Sequence, residues 1–235
     1  MKKLAIDVWS DIACPWCYIG KRRLEAALTR FPHREAVTVT WRAFELDPSA
    51  PRERDRGVSY AERLAKKYGF SVKDAEARLQ SMTEVASADG LTFRFDLVRS
   101  GNTFDAHRVL HLAAERGVQD AVKERFLHGY MTEGEPIGDP ETLVRLAAQG
   151  GLDADEVRAT LATDARAAAV RADEDEARSV GIQGVPFFVL GGRYAISGAQ
   201  PADLLLDALT QAWAALEAKP TVFAEGAACG PDGCP

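Results

Sequence analysis

Cys14-Pro15-Trp16-Cys17 stands where a strand-like run, Leu4 to Trp9, meets a helix-like run, Pro15 to Phe31. Two thiols separated by two residues close into a small disulfide ring, and such a pair exchanges electrons or ligates metal far more often than it packs. The helix-like run carries Cys17, Gly20, Leu24, Ala27, Leu28 and Phe31 at three- and four-residue steps, with Lys21, Arg22 and Glu25 on the other face. Phe31-Pro32 ends it, because the residue before proline avoids helical dihedrals. Val37 to Phe44 then alternates apolar and polar residues with β-branched members, which predicts a second strand.

From about Asp47 to Asp164 the pattern is helical. The predicted helices are Tyr60–Tyr68, Val72–Ala88, Phe104–Arg116, Gln119–Thr132, Glu141–Gln149 and Asp155–Thr163. Asp139-Pro140-Glu141 reads as an N-cap, a proline at the first helical position and an acid in the first turn. A further helix covers about Ala165–Val180, and its run Asp173-Glu174-Asp175-Glu176 reads as a solvated face. Strand signals return at Pro186–Leu190 and Arg193–Ile196, with Gly191-Gly192 as a two-residue hairpin turn. A last helix begins at Pro201. After Lys219-Pro220 the chain is rich in Gly and Ala and reads as a mobile tail.

This order is β-α-β, a helical block, then α-β-β-α. The fold class it predicts is α/β, a thioredoxin-like fold with an inserted all-helical domain. Residues 1–48 and 165–218 form the thioredoxin-like part, 49–164 the insertion and 219–235 the tail. At 235 residues the chain holds one such unit with its insertion. The net charge of −6 argues against nucleic acid or an anionic membrane as partner. Asp7 and Asp11 interrupt any signal-peptide core, so the expected location is cytoplasmic. In a reducing compartment close cysteine pairs are catalytic, redox-sensing or metal-binding.

Only a thiolate attacks a disulfide, and a free cysteine has a pKa of ~8.5. A helix N-terminus favours an anion by roughly 0.3–2 kcal/mol. At ~1.4 kcal/mol per unit that lowers a pKa by at most about 1.5 units, enough to ionise about half of Cys14 near neutrality. Cys17 falls on the apolar stripe and is expected to be more buried. Cys14 is therefore the expected attacking thiol and Cys17 the resolving one. Asp7, Asp11 and Glu45 are candidates for a carboxylate that handles the Cys17 proton, and spacing does not separate them.

Four segments together resemble the FrnE-type branch of the DsbA family: Asp7 to Gly20, Asn102 to Arg108, Gly134 to Pro140 and Gly184 to Val189. The resemblance spans most of the chain to about Leu216. It implies thiol–disulfide oxidoreductase activity through Cys14 and Cys17, and a cis bond at Val185–Pro186 opposite them. It also implies that Val185 pairs with an extended substrate chain and that the helix start at Asn102 and His107 faces the cleft. Trp16 is a further substrate-side candidate. The implied partners are disulfide-containing proteins or low-molecular-weight thiols, with no dissociable cofactor and glutathione as a conceivable cosubstrate.

Related glutathione-dependent isomerases and transferases carry serine where this chain has Cys14, so a glutathione-dependent enzyme acting on an aromatic small molecule stands as the alternative. A zinc-stabilised binding protein is the non-enzymatic one, although no metal ligands are assigned. His107 and His111 are four residues apart without the glutamate of a zinc-protease motif, and they fall off the apolar stripe of their helix. A solvated or cleft-facing position is expected for both. Cys229 and Cys234 form a second pair, which is expected either to be idle or to act as an auxiliary redox pair. The segment from Ala218 to Cys229 spans ~35 Å when extended, against a radius of gyration of ~17 Å for the domain.

Overall fold

The computed structural model describes residues 2–52 and 57–217. β1 (Leu4–Ser10) runs into α1 (Pro15–Arg30) and returns as β2 (Val37–Ala43). Six helices follow: α2 (Tyr60–Tyr68), α3 (Val72–Ala88), α4 (Phe104–Glu115), α5 (Gln119–His128), α6 (Pro140–Gln149) and α7 (Ala154–Leu161). The chain closes with α8 (Ala167–Ser179), β3 (Phe187–Leu190), β4 (Tyr194–Ser197) and α9 (Ala202–Glu217). The sheet order is β2-β1-β3-β4; β2 lies parallel to β1, and β3 and β4 are antiparallel to their neighbours. This mixed sheet with flanking helices is the thioredoxin-like architecture expected from the element order.

Two apolar cores meet at α1. The sheet core holds Leu4, Ile6 and Val8 of β1, Phe188 and Leu190 of β3, and Leu205 and Leu209 of α9, with Leu24, Ala27 and Phe31 from the second half of α1. The helical core is built by α4 to α7 around Val109, Phe126, Leu143 and Val157, and it takes in Ile12 from the turn after β1 and Tyr18 and Ile19 from the start of α1. Helix α1 is thus embedded on more than one side. For this reason Lys21, on the face away from the apolar stripe, is buried: it pairs with Glu25, with Asp120 at 3.3 Å and with Glu124 at 3.1 Å.

Capping follows the local sequence. Ser59 and Glu62 form a reciprocal capping box at α2, and Asp139 accepts from the Thr142 N–H in front of Pro140. Three details depart from expectation. The helix predicted to run to Thr132 gives way at Gly129–Glu133 to a π turn, which ends on Gly134 at φ 70°. The β3–β4 pairing closes at Leu190↔Tyr194, so Arg193 joins Gly191 and Gly192 in a three-residue turn. Asp173 and Glu174 are buried rather than solvated. Asp173 accepts from the Ala43 N–H and from Arg42, and Glu174 accepts from the Glu45 N–H, because α8 lies against β2.

Candidate active site

Cys14 is the N-cap of α1, in extended conformation (φ −97°, ψ 112°), with Pro15 in the first turn. The chain turns sharply into the helix there: the Cys14 N–H reaches the Asp11 carbonyl and the Cys17 N–H reaches the Cys14 carbonyl at 3.1 Å. Both cysteines are free thiols. Cys14 is 5% exposed and Cys17 1%, so the expected difference in burial is present but small. Trp16, between them, is 40% exposed.

Opposite the pair lies the loop that leads into β3. The Val185–Pro186 bond is cis. The Cys14 thiol donates to the Val185 carbonyl at 3.5 Å. Gly20 of α1 allows this approach, since a Cβ there would stand 2.8 Å from Pro186 Cγ and 3.3 Å from Phe188 Cζ. Cys14, Val185 and Pro186 are therefore brought together, and Trp16 borders them.

Beneath the pair the residues are charged and buried. Burial pushes the Cys17 thiol well up, and its hydrogen bond to Cys14 and the charge of Cys14 push it further. Lys123 of α5 and a backbone contact at Asp11 oppose that rise. Asp11 is fully enclosed: it accepts from the Leu46 N–H at 2.8 Å and lies 3.3 Å from His107 Nε2. Burial raises its carboxyl, but the His107 contact and the Leu46 N–H more than offset this, and the net shift is downward. Lys123 is also fully enclosed, and burial brings its ammonium down to about 8 against the upward pull of Cys17, Asp11 and Cys14.

The remaining candidates are held by other partners. His107 is 1% exposed and supports the Asp11 loop from below, which corrects its placement on the substrate side. His111 faces Asp173 Oδ2 at 3.0 Å. The apolar stripe misled here because β2, α8 and the β1–α1 turn cover the second face of α4. The Asn102 amide donates to Glu45 and to the Pro48 carbonyl at 3.3 Å each, and its oxygen caps the Phe104 N–H. Asp7 pairs with Arg42 at 2.8 Å and Glu45 with Arg171 at 2.6 Å. Cys229 and Cys234 lie outside the described residues. Among the described residues no cluster of three or more His, Cys, Asp or Glu forms a metal-holding group, and no helix is long and apolar enough to cross a membrane.

Lys123 was not among the candidates. Its signal was present, since it shares the apolar phase of α5 with Gln119, Val122, Phe126 and Leu127. A charged residue on such a stripe is buried at a cost and calls for a reason.

A family model described as a DSBA-like thioredoxin domain matches residues 5–210. The chain belongs to the DsbA-like thioredoxin-domain family. A probable DsbA oxidoreductase from Streptomyces coelicolor is 47% identical, with a TM-score of 0.85 over 99% of this chain and 98% of that one. The uncharacterized protein YwbO of Bacillus subtilis is 29% identical over 210 residues, 87% of this chain and 95% of its own. The cytosolic disulfide reductase DsbM of Pseudomonas aeruginosa, solved with GSH, shares the fold at 19% identity, with a TM-score of 0.59 over 91% of this chain and 97% of that one. In this DsbA-like chain the two thiols occupy the strand-to-helix junction and the cis-proline loop lies against them.

Proposed function

We propose that this DsbA-like protein is a cytoplasmic thiol–disulfide oxidoreductase of the FrnE-like branch, acting on disulfide-containing proteins or on low-molecular-weight thiols such as glutathione. One observation carries the reading: the Cys14 thiol, at the helix N-cap, points at the Val185 carbonyl beside Pro186, with the buried Cys17 in the first turn behind it. A thiol that faces a backbone acceptor in the half-buried loop before a strand stands where an extended substrate chain adds alongside that loop. Trp16 supplies apolar surface at the rim.

In the reducing direction Cys14 attacks one sulfur of the substrate disulfide, and the first substrate thiolate leaves. Cys17 then attacks the Cys14 sulfur, the mixed disulfide breaks, and the second substrate thiol departs as the Cys14–Cys17 disulfide forms. The oxidising direction is the reverse. Retention of both thiols favours this chemistry over a glutathione-dependent isomerase, for which Cys17 would have no part. In this reading Cys229 and Cys234 exchange with the first pair, and residues 49–164 act as an insertion into a thioredoxin-like unit formed by 1–48 and 165–218.

Insulin reduction by wild type and Cys14→Ser, with the potential of the Cys14/Cys17 pair read against glutathione buffers, tests the proposal. Turnover by wild type and none by Cys14→Ser is the expected result. A wild type inert in both thiol exchange and insulin reduction would overturn it.

A further inference from the structure

Two lysines flank the ring of Trp41 on β2: Lys21 Nζ lies 6.0 Å from its centroid and Lys123 Nζ 5.7 Å. They differ sharply in their partners. Lys21 is held by three carboxylates, those of Glu25, Asp120 and Glu124. Lys123 is 0% exposed, and among the described residues its Nζ has the Ser10 carbonyl at 3.5 Å and the Trp41 ring but no carboxylate in ion-pair range. A buried ammonium with a single neutral acceptor is poorly compensated.

The position of this charge suggests its use. Ser10 and Asp11 share one peptide unit at the end of β1. Lys123 donates to its carbonyl side, and the Lys123 charge and the Asp11 backbone both draw the buried Cys17 thiol downward. The groups that bear on Lys123 are Cys17 and Lys21 on α1, Cys14 at its N-cap and Asp11 in the turn after β1. Asp11 is already engaged by His107 and Leu46. The other candidate carboxylates, Asp7 and Glu45, are held by Arg42 and Arg171.

We propose that Lys123, contributed by helix α5, is the buried positive charge that compensates the Cys17 thiolate during the resolving step. This inference rests on the oxidoreductase reading. For a substrate R–S–S–R′, the Cys14 thiolate forms the Cys14–S–R bond and expels R′S⁻. The Cys17 thiol then loses its proton to solvent, where R′S⁻ takes it up or, for an acidic aryl thiolate, buffer does. The Cys17 thiolate, balanced by the Lys123 ammonium, attacks the Cys14 sulfur; the Cys14–Cys17 bond forms and RS⁻ departs. The substrate gains two electrons and the pair loses them. Lys123 touches none of the reacting atoms and acts through Cys17, as a positioning residue.

A chromogenic symmetric aryl disulfide separates the two steps in stopped flow, because Cys14 attack releases the first equivalent of coloured thiolate and Cys17 resolution the second. Lys123→Met retains the length and packing of the side chain, and its thermal midpoint is expected to be no lower than wild type. The first phase should stay within about twofold. The second should slow about tenfold or more near pH 7, with its pH midpoint moved up by about one unit or more. An unchanged second phase with an unchanged midpoint would overturn the role of Lys123.

If Lys123→Met does not fold, ¹³Cε-lysine NMR of wild type decides the matter. The Lys123 titration midpoint should fall when Cys14 and Cys17 are oxidised, because the disulfide carries none of the negative charge with which the two reduced cysteines pull the ammonium up. Equal midpoints in the two redox states would refute the coupling. A wild type that releases neither equivalent would refute the oxidoreductase reading itself, a result distinct from either outcome for Lys123.

Discussion

Replacing Gly20 by alanine tests whether the approach of α1 to the Pro186 loop sets the activity. An added Cβ would lie 2.8 Å from Pro186 Cγ, 3.3 Å from Phe188 Cζ and 3.4 Å from Pro186 Cβ. Carbon atoms rest at about 3.5–4.0 Å, so the loop and helix must part by about 0.7 Å. Neither neighbour yields easily, since the proline ring is closed and Phe188 of β3 is fully buried in the sheet core. Overpacking of this kind costs about 1–3 kcal/mol, while alanine in place of glycine inside a helix returns about 1 kcal/mol. The net loss is therefore about 0–2 kcal/mol, a fall of at most about 8 °C in thermal midpoint for a chain of this size. The effect on rate should be larger. The Cys14 thiol is already 3.5 Å from the Val185 carbonyl, and a displacement near 1 Å costs up to about 10²-fold when geometry is critical. Insulin reduction is expected to slow by about tenfold or more, with thermal denaturation measured in parallel. A Gly20→Ala protein stabilised by about 1 kcal/mol at wild-type rate would refute the reasoning, because it would mean that the loop gives way freely.

Cys17→Ser should accumulate a mixed disulfide between Cys14 and substrate, seen as a mass adduct that thiol reductants remove; absence of the adduct would argue against the assigned order of attack. The Glu124 carboxyl is raised by burial, but the Arg22 hydrogen bond, the Lys21 charge and the Tyr18 hydroxyl more than offset this and bring it from 4.5 to about 2. A depressed carboxylate stabilises the fold fully above its unfolded value, and the contribution is lost as pH falls through the folded one. The shift corresponds to about 3 kcal/mol, reduced to about 1–2 kcal/mol for a partly exposed group. Glu124→Gln should thus be less stable than wild type in urea at pH 7, and the gap should close between about pH 4.5 and 2; a pH-independent gap would contradict this. His107→Leu leaves the Asp11 carboxylate enclosed without its ring partner and should cost about 3 kcal/mol in urea denaturation. A loss below about 0.5 kcal/mol would show that the backbone N–H groups suffice.

Much of the fold could be read from local chemistry. Periodicity placed α2 at Tyr60–Tyr68 and α3 at Val72–Ala88, because an amphipathic helix writes its buried face every three to four residues. Proline and glycine marked the ends of α1 and the β3–β4 turn. The Cys14-to-Cys17 spacing and the helix start after Cys14 are covalent and local facts, so the thiols and their order along the helix were available before any folding. What periodicity could not supply was the second face of a helix enclosed on two sides. Lys21, His107, Lys123 and Asp173 each carry charge or a titratable ring, which a single apolar stripe does not place in the interior. They are buried because β2, α4, α5, α8 and the turn after β1 converge around Trp41 and the thiol pair.

Sequence alone determined the redox pair and the strand-to-helix junction that displays it, since both depend on neighbours within a few residues. Tertiary structure decided what surrounds the pair: the carbonyl of Val185, 171 residues from Cys14, and the ammonium of Lys123, 113 residues from Ser10. Compensation of buried charge depends on which distant groups the fold brings within a few ångströms, and no local pattern records those distances.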